Sequence, residues 1–233
     1  MIVAFKMKYS NKAYSLVELA VSIAVMAILA TGFLGYYSKK IEAKRYKITK
    51  DKIKFIEKSL SSFVDQHYYL PCPAQGNVPE LSSGSNKFGY SVDYNNTNFN
   101  CNNINNYVGM IPVRTINIPD DYAYDGWGRK FSYSIAQGLG SVNDFTSGKY
   151  NGNIDIVDLQ GISKTDINRT SPNSYGAAYV IVSFGQRGIG AWSRDANVSP
   201  MLPGTNGREY QNASYLGNGL SNAKFIQDET NYI

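Results

Sequence analysis

From Leu16 to Tyr37 the chain reads LVELAVSIAVMAILATGFLGYY, 22 residues with a single charge, Glu18. At 1.5 Å per residue such a helix reaches about 33 Å, enough for a hydrocarbon core of roughly 30 Å. Beyond it the composition turns polar but the period survives. Ile41, Ile48, Ile56, Leu60, Phe63 and Val64 recur near multiples of 3.6 residues, with no Pro or Gly between Lys39 and Val64. The pattern predicts one helix from Ser15 to about Gln66. Residues 14–37 form its membrane-spanning or assembly half, and 38–66 its amphipathic continuation against a soluble domain. Leu70-Pro71-Cys72-Pro73 then stops it.

The rest of the chain, 67–233, reads as a β-rich globular domain. Its first part, 76–106, is a loop without hydrophobic periodicity, and eight of the fourteen residues from Asp93 to Asn106 are Asn. Short strand candidates follow at Tyr107–Ile118, Lys130–Ile135, Ile154–Leu159 and Ala177–Phe184. Each is rich in β-branched or aromatic residues and is bounded by turn formers. A long helix followed by close-set strands predicts an α+β fold, with the helix laid across a small antiparallel sheet. Cys72 and Cys101 bracket the Asn-rich loop. In an oxidising compartment a bridge there would contribute roughly 3.6 kcal/mol; two free thiols in a reducing cell are the alternative. The bridge is favoured, because a structureless segment of that length needs a tether.

Composition narrows the chemistry. The 233 residues carry 23 basic and 18 acidic side chains, a net charge of +5, with 19 Tyr. One His and two Cys exclude most zinc sites, iron–sulfur clusters and His-based triads. The mean hydropathy of −0.31 excludes a polytopic membrane protein but not a single span. No catalytic residue is assigned. His67 stands alone, no Ser or Cys occupies a nucleophile motif, and no Gly-rich loop could cradle a phosphate. Asp120, Asp121, Asp125, Asp155 and Asp158 could supply a glycosidase pair, but nothing in the sequence sets their separation.

Glu18 is the anomaly. A carboxylate inside an apolar span usually has a partner or a function. If the chain were cut after Ala13, the new α-amine of Tyr14 would stand four residues before Glu18 on the same helical face. An ammonium about 4 Å away at an effective dielectric near 20 would interact by roughly 4 kcal/mol before desolvation. Cleavage would create the counterion.

The octet Lys12-Ala13-Tyr14-Ser15-Leu16-Val17-Glu18-Leu19, behind the basic leader of residues 1–13 with Lys6, Lys8 and Lys12, resembles the class III signal of type IV pilins and type II secretion pseudopilins. Ala replaces the commoner Gly before the cut, and Tyr replaces Phe after it. The resemblance implies cleavage between Ala13 and Tyr14 by a prepilin peptidase, N-methylation of Tyr14, and pairing of Glu18 with a neighbouring subunit's terminal amine during filament assembly. Asp125-Gly126-Trp127-Gly128-Arg129-Lys130-Phe131 looks like the Asp-Pro-Trp-Gly turn of major pseudopilins. Ser183-Phe184-Gly185-Gln186-Arg187-Gly188 resembles their later Ser-x-Gly-x-Asp-Gly loop. In those relatives the late loop helps bind calcium. Here Arg187 stands in the acidic position, so no calcium site, metal or cofactor is carried over, and Asp155 with Asp158 is too small a set to replace it.

The helix suits assembly. Ala20, Ala24, Ala27, Thr31 and Gly35 form a small-residue ridge that lets helices approach closely, although Ala and Gly are common in any span. From Lys39 to Lys58 nine basic residues face three acidic ones, so the positive-inside rule alone would place the C-terminal side in the cytoplasm. The signal implies the reverse: a bacterial inner-membrane protein, single-pass, with its N-terminus cytoplasmic and its C-terminal domain periplasmic. The implied partners are homologous subunits, the peptidase, an inner-membrane assembly platform and the lipid bilayer. Nucleic acid is not expected, since no basic stripe with interleaved aromatics can be read. The leading expectation is a pseudopilin-type subunit of a type II secretion-like system, and not an enzyme. A type IV or minor pilin for adhesion, motility or DNA uptake is the alternative, with a membrane-tethered periplasmic enzyme behind it.

Overall fold

The computed structural model describes residues 15–81, 88–92, 101, 108–136, 138–148, 152–158, 160–165, 176–195, 212 and 224–226, without the side chains of 30–34, 224 and 226. Most of the Asn-rich loop therefore lies outside the described residues. The architecture is α+β, with one long helix and a small antiparallel sheet. Two compact units divide it, residues 1–43 and 44–233.

Helix α1 runs Leu16–His67 over 52 residues, close to the expected bounds. In the first unit its described apolar side chains face outward: Leu16 is 86% exposed and Ile28 73%. Among the described residues no helix is long and apolar enough to cross a membrane. The side chains of 30–34, within the apolar run, are outside that set.

In the second unit α1 turns Thr49, Ile56, Leu60 and Phe63 inward, spacings of seven, four and three that keep one face on the core. Ile56 and Leu60 join a cluster with Met110, Tyr133, Ile135 and Phe131. Tyr68 ends the helix in a left-handed conformation (φ 60°), its N–H still bonded to Val64 O at 2.8 Å. The prolines follow that stop and prevent any restart.

Strand β1 is Val108–Met110, β2 Ser132–Ile135, β3 Asp155–Val157, β4 Tyr179–Val182 and β5 Lys224–Ile226. The sheet order is β1-β2-β4, antiparallel throughout, with Gly109 opposite Tyr133 and Tyr133 opposite Ile181. A short 3-10 turn, Asp120–Ala123, and the five-residue α2, Val142–Thr146, lie between strands.

Three features depart from the sequence reading. The candidate Tyr107–Ile118 is a strand only over Val108–Met110. Pro112 cannot donate to a ladder, and the chain coils through Ile116 N–H to Pro112 O and Ile118 N–H to Val113 O before Asn117 turns left-handed (φ 56°). Its apolar residues are buried all the same, which is what imitated a strand. The second difference is β5, three residues in a polar stretch, which was not anticipated. The third is its pairing: β3 and β5 run parallel, with Ile156 opposite Phe225, in a separate two-stranded sheet.

Cys72 and Cys101 form a disulfide, and both are buried. The bridge ties the segment after α1 to the far end of the Asn-rich loop and packs Cys101 against Gly140.

Candidate functional site

The N-terminal residues assigned to processing, Ala13 and Tyr14, lie outside the described residues. Glu18 occupies the first turn of α1, exposed, with Ser22 Oγ donating to its backbone carbonyl at 2.8 Å. A carboxylate there also interacts favourably with the helix N-terminus, typically by about 0.3–1 kcal/mol. On the small-residue ridge the Thr31 side chain is not described, and a Cβ at Gly35 would meet nothing within 4 Å.

The two turns singled out in the sequence are built into one another. Asp125 is buried at 4% exposure. Its Oδ1 accepts from Trp127 N–H (2.9 Å) and Arg129 N–H (3.0 Å), closing the turn, and its Oδ2 accepts from Ser183 Oγ at 2.7 Å. The return link comes from Arg129, whose Nη1 donates to Gly185 O while its guanidinium fills the space over Gly188. Arg187 is exposed on the same loop. A fixed cation, Arg129, thus already holds the carbonyl side of the 183–188 loop.

The Asp125 turn is docked on α1. Gly126 N–H donates to Thr49 Oγ1 at 2.9 Å, and a Cβ at Gly126 would overlap the Arg45 backbone. Only glycine permits that approach. Lys52 Nζ reinforces it, donating to Asp121 O (2.7 Å) and Tyr124 O (2.9 Å) while pairing with the Asp121 carboxylate at 2.8 Å. Gly128 has φ 78°, the left-handed geometry the turn needs for its exit. Trp127 is half-buried, and its Nε1, like Ser132 Oγ and Tyr133 OH, has no hydrogen-bond partner among the described residues.

Beside this turn lies a group that the sequence did not flag. Lys130 is fully buried, and its ammonium donates to Gly76 O (2.9 Å) and Val78 O (2.7 Å) under the Phe88 ring. Burial pushes it down to about 8, against the opposing pull of Glu80 and Asp195. Glu80 in turn accepts from Tyr124 OH at 3.1 Å, and Arg194 lies 4.3 Å over the Tyr124 ring. Burial first, then the Glu80 bond, raises the Tyr124 phenol. A lysine at the head of a strand reads as solvent-facing, so no local signal marked it.

The acids considered for catalysis take separate local partners. Asp120 accepts two bonds from Arg114 (3.0 and 2.8 Å), Asp121 pairs with Lys52, and Asp155 binds the Ser163 and Thr165 hydroxyls. Asp158 accepts from the Gln160 and Ile162 amides. His67, in the last turn of α1, stacks on Phe63 at 4.2 Å. Among the described residues no three His, Cys, Asp or Glu side chains gather as metal ligands. A groove of about 360 Å³ along β4 is lined by Ile53, Ile156, Tyr179, Ile181 and Phe225, with Glu57 the one charged side chain among the described lining residues.

Comparison of the chain with protein-family models, with curated proteins and with solved structures finds no match in any of the three.

Proposed function

We propose that the chain is a pseudopilin-type filament subunit of a type II secretion-like system, cut between Ala13 and Tyr14 and assembled through α1. The observation that carries the reading is the octet Lys12–Leu19 at the head of an apolar helical run whose one charge is Glu18. Three further features support it. The described apolar side chains of the first half of α1 are outward-facing, as a surface awaiting lipid or neighbouring helices must be. The Cys72–Cys101 disulfide suits an oxidising compartment such as the periplasm. The Asp125 turn and the Ser183 loop, each similar to a pseudopilin segment, are hydrogen-bonded to one another.

In this reading the membrane-spanning helix holds the mature chain in the inner membrane, with the C-terminal unit on the periplasmic side. Extraction by an assembly platform then transfers the apolar half of α1 from lipid into a bundle of neighbouring subunits. Glu18, costly in an apolar bundle, is matched there by the terminal amine of the next subunit. The function is mechanical, a growing filament that moves cargo, and no chemistry is assigned to the fold.

Glu18→Val tests the pairing. The variant is expected to be processed and inserted normally but to give no filaments, and normal filaments would refute the role of Glu18. Deleting the protein separates secretion from its pilin alternative. Loss of exported enzyme activity supports the secretion reading, whereas loss of surface attachment alone replaces it with an adhesive pilin.

A further inference from the structure

We propose that the outward face of α1 from Lys44 to Lys58 is a docking surface for an acidic amphipathic helix belonging to a different chain. The inference stands on this face alone and depends on neither processing nor membrane insertion.

Lys44, Lys47, Asp51, Lys54 and Lys58 follow one another at steps of three, four, three and four, so on a helix they form one straight row about 21 Å long. All five are exposed, on the side opposite Thr49, Ile56 and Leu60, which face the core. None of the four lysines has an ion pair among the described residues. Lys52, turned towards the domain, is by contrast half-buried and fully engaged with Asp121 and Tyr124. Asp51 offsets its neighbours Lys47 and Lys54, but Lys44 with Lys47 and Lys54 with Lys58 are like-charge neighbours, so the row keeps a net charge of +3.

An apolar row runs beside the charges. Ile48 and Phe55, seven residues apart, are 36% and 42% exposed, and Phe55 is held in place by stacking on Tyr122 at 4.4 Å. A straight apolar row flanked by a straight charged row is the surface of one partner in a helix pair.

The chemistry selects the occupant. A second copy is disfavoured, because parallel or antiparallel pairing about Asp51 sets lysine against lysine. Duplex DNA would meet the row along one phosphate strand and leave Ile48 and Phe55 unused. A helix with carboxylates opposite the four lysines, a basic residue opposite Asp51 and apolar residues over Ile48 and Phe55 satisfies every position.

The test uses the full chain in detergent micelles and a labelled synthetic helix with that pattern, read by fluorescence anisotropy. The expected result is salt-sensitive binding that weakens at least about tenfold with Lys47→Glu/Lys54→Glu and measurably with Ile48→Ser. Unchanged melting of the variants shows that they fold. If a scrambled peptide of equal charge, duplex DNA or anionic vesicles bind as tightly, and Ile48→Ser has no effect, the face is a general polyanion surface and the proposal fails. Self-association of the full chain that Lys47→Glu abolishes would likewise overturn it.

Discussion

Ser183 Oγ donates a 2.7 Å hydrogen bond to Asp125 Oδ2 across 58 residues of sequence, closing the loop after β4 onto the turn before β2. The carboxylate is buried and already holds two amides of its own turn, so the serine completes its shell rather than decorating it. Hydrogen bonds to a charged acceptor contribute about 1.5–3 kcal/mol, and a lost partner leaves the acceptor unsatisfied.

Ser183→Ala is therefore expected to destabilise the C-terminal unit by about 1–3 kcal/mol, and Asp125→Ala by more, since it also opens the turn. The double variant should show a coupling of about 0.5–3 kcal/mol in denaturant melts. Strict additivity would mean that the two turns stabilise the fold independently.

Much of this architecture is legible in the sequence, and the remainder is hidden for identifiable reasons. The absence of Gly and Pro between Lys39 and Val64 and the steady period of its apolar residues announce α1. Strands β2 and β4 sit within candidates whose alternation is local. The Asp125–Ser183 link cannot be read because its partners are 58 positions apart and polar residues carry no periodic signal. Lys130 misleads for another reason: its burial depends on the carbonyls of Gly76 and Val78, which only the folded chain brings there. The parallel β3–β5 pair rests on three residues a side, too short to show a pattern.

Lys130 gives the C-terminal unit a signature in alkaline solution. The fold lowers its pKa from 10.5 to about 8, so between those values the unfolded chain holds the extra proton and stability rises with pH. Below about pH 8 both states are protonated and the slope vanishes. Tyr124, raised in the fold, brings the opposite slope once unfolded tyrosine ionises near pH 10, which closes the window. Chemical denaturation of the intact chain should show the rise between pH 8 and 10, and Lys130→Met should flatten it. An equal rise in the variant would assign the effect elsewhere.

The disulfide makes a separate prediction. Cys72 and Cys101 are 29 positions apart, and closing a loop of that length stabilises by roughly 3.6 kcal/mol on the chain-entropy estimate. Cys72→Ser/Cys101→Ser should lower the unfolding free energy by about that amount and become indifferent to reductant. A wild-type melt that dithiothreitol does not shift would contradict the structural role of the bridge.

The most direct measurement is the N-terminus of the protein recovered from membranes, by intact mass and N-terminal sequencing. The expected product is a chain that begins at Tyr14, lacks residues 1–13 and carries a methyl group on its α-amine. A chain that retains the leader, with Ala13 still joined to Tyr14, would leave Glu18 without its counterion and contradict the proposed assembly.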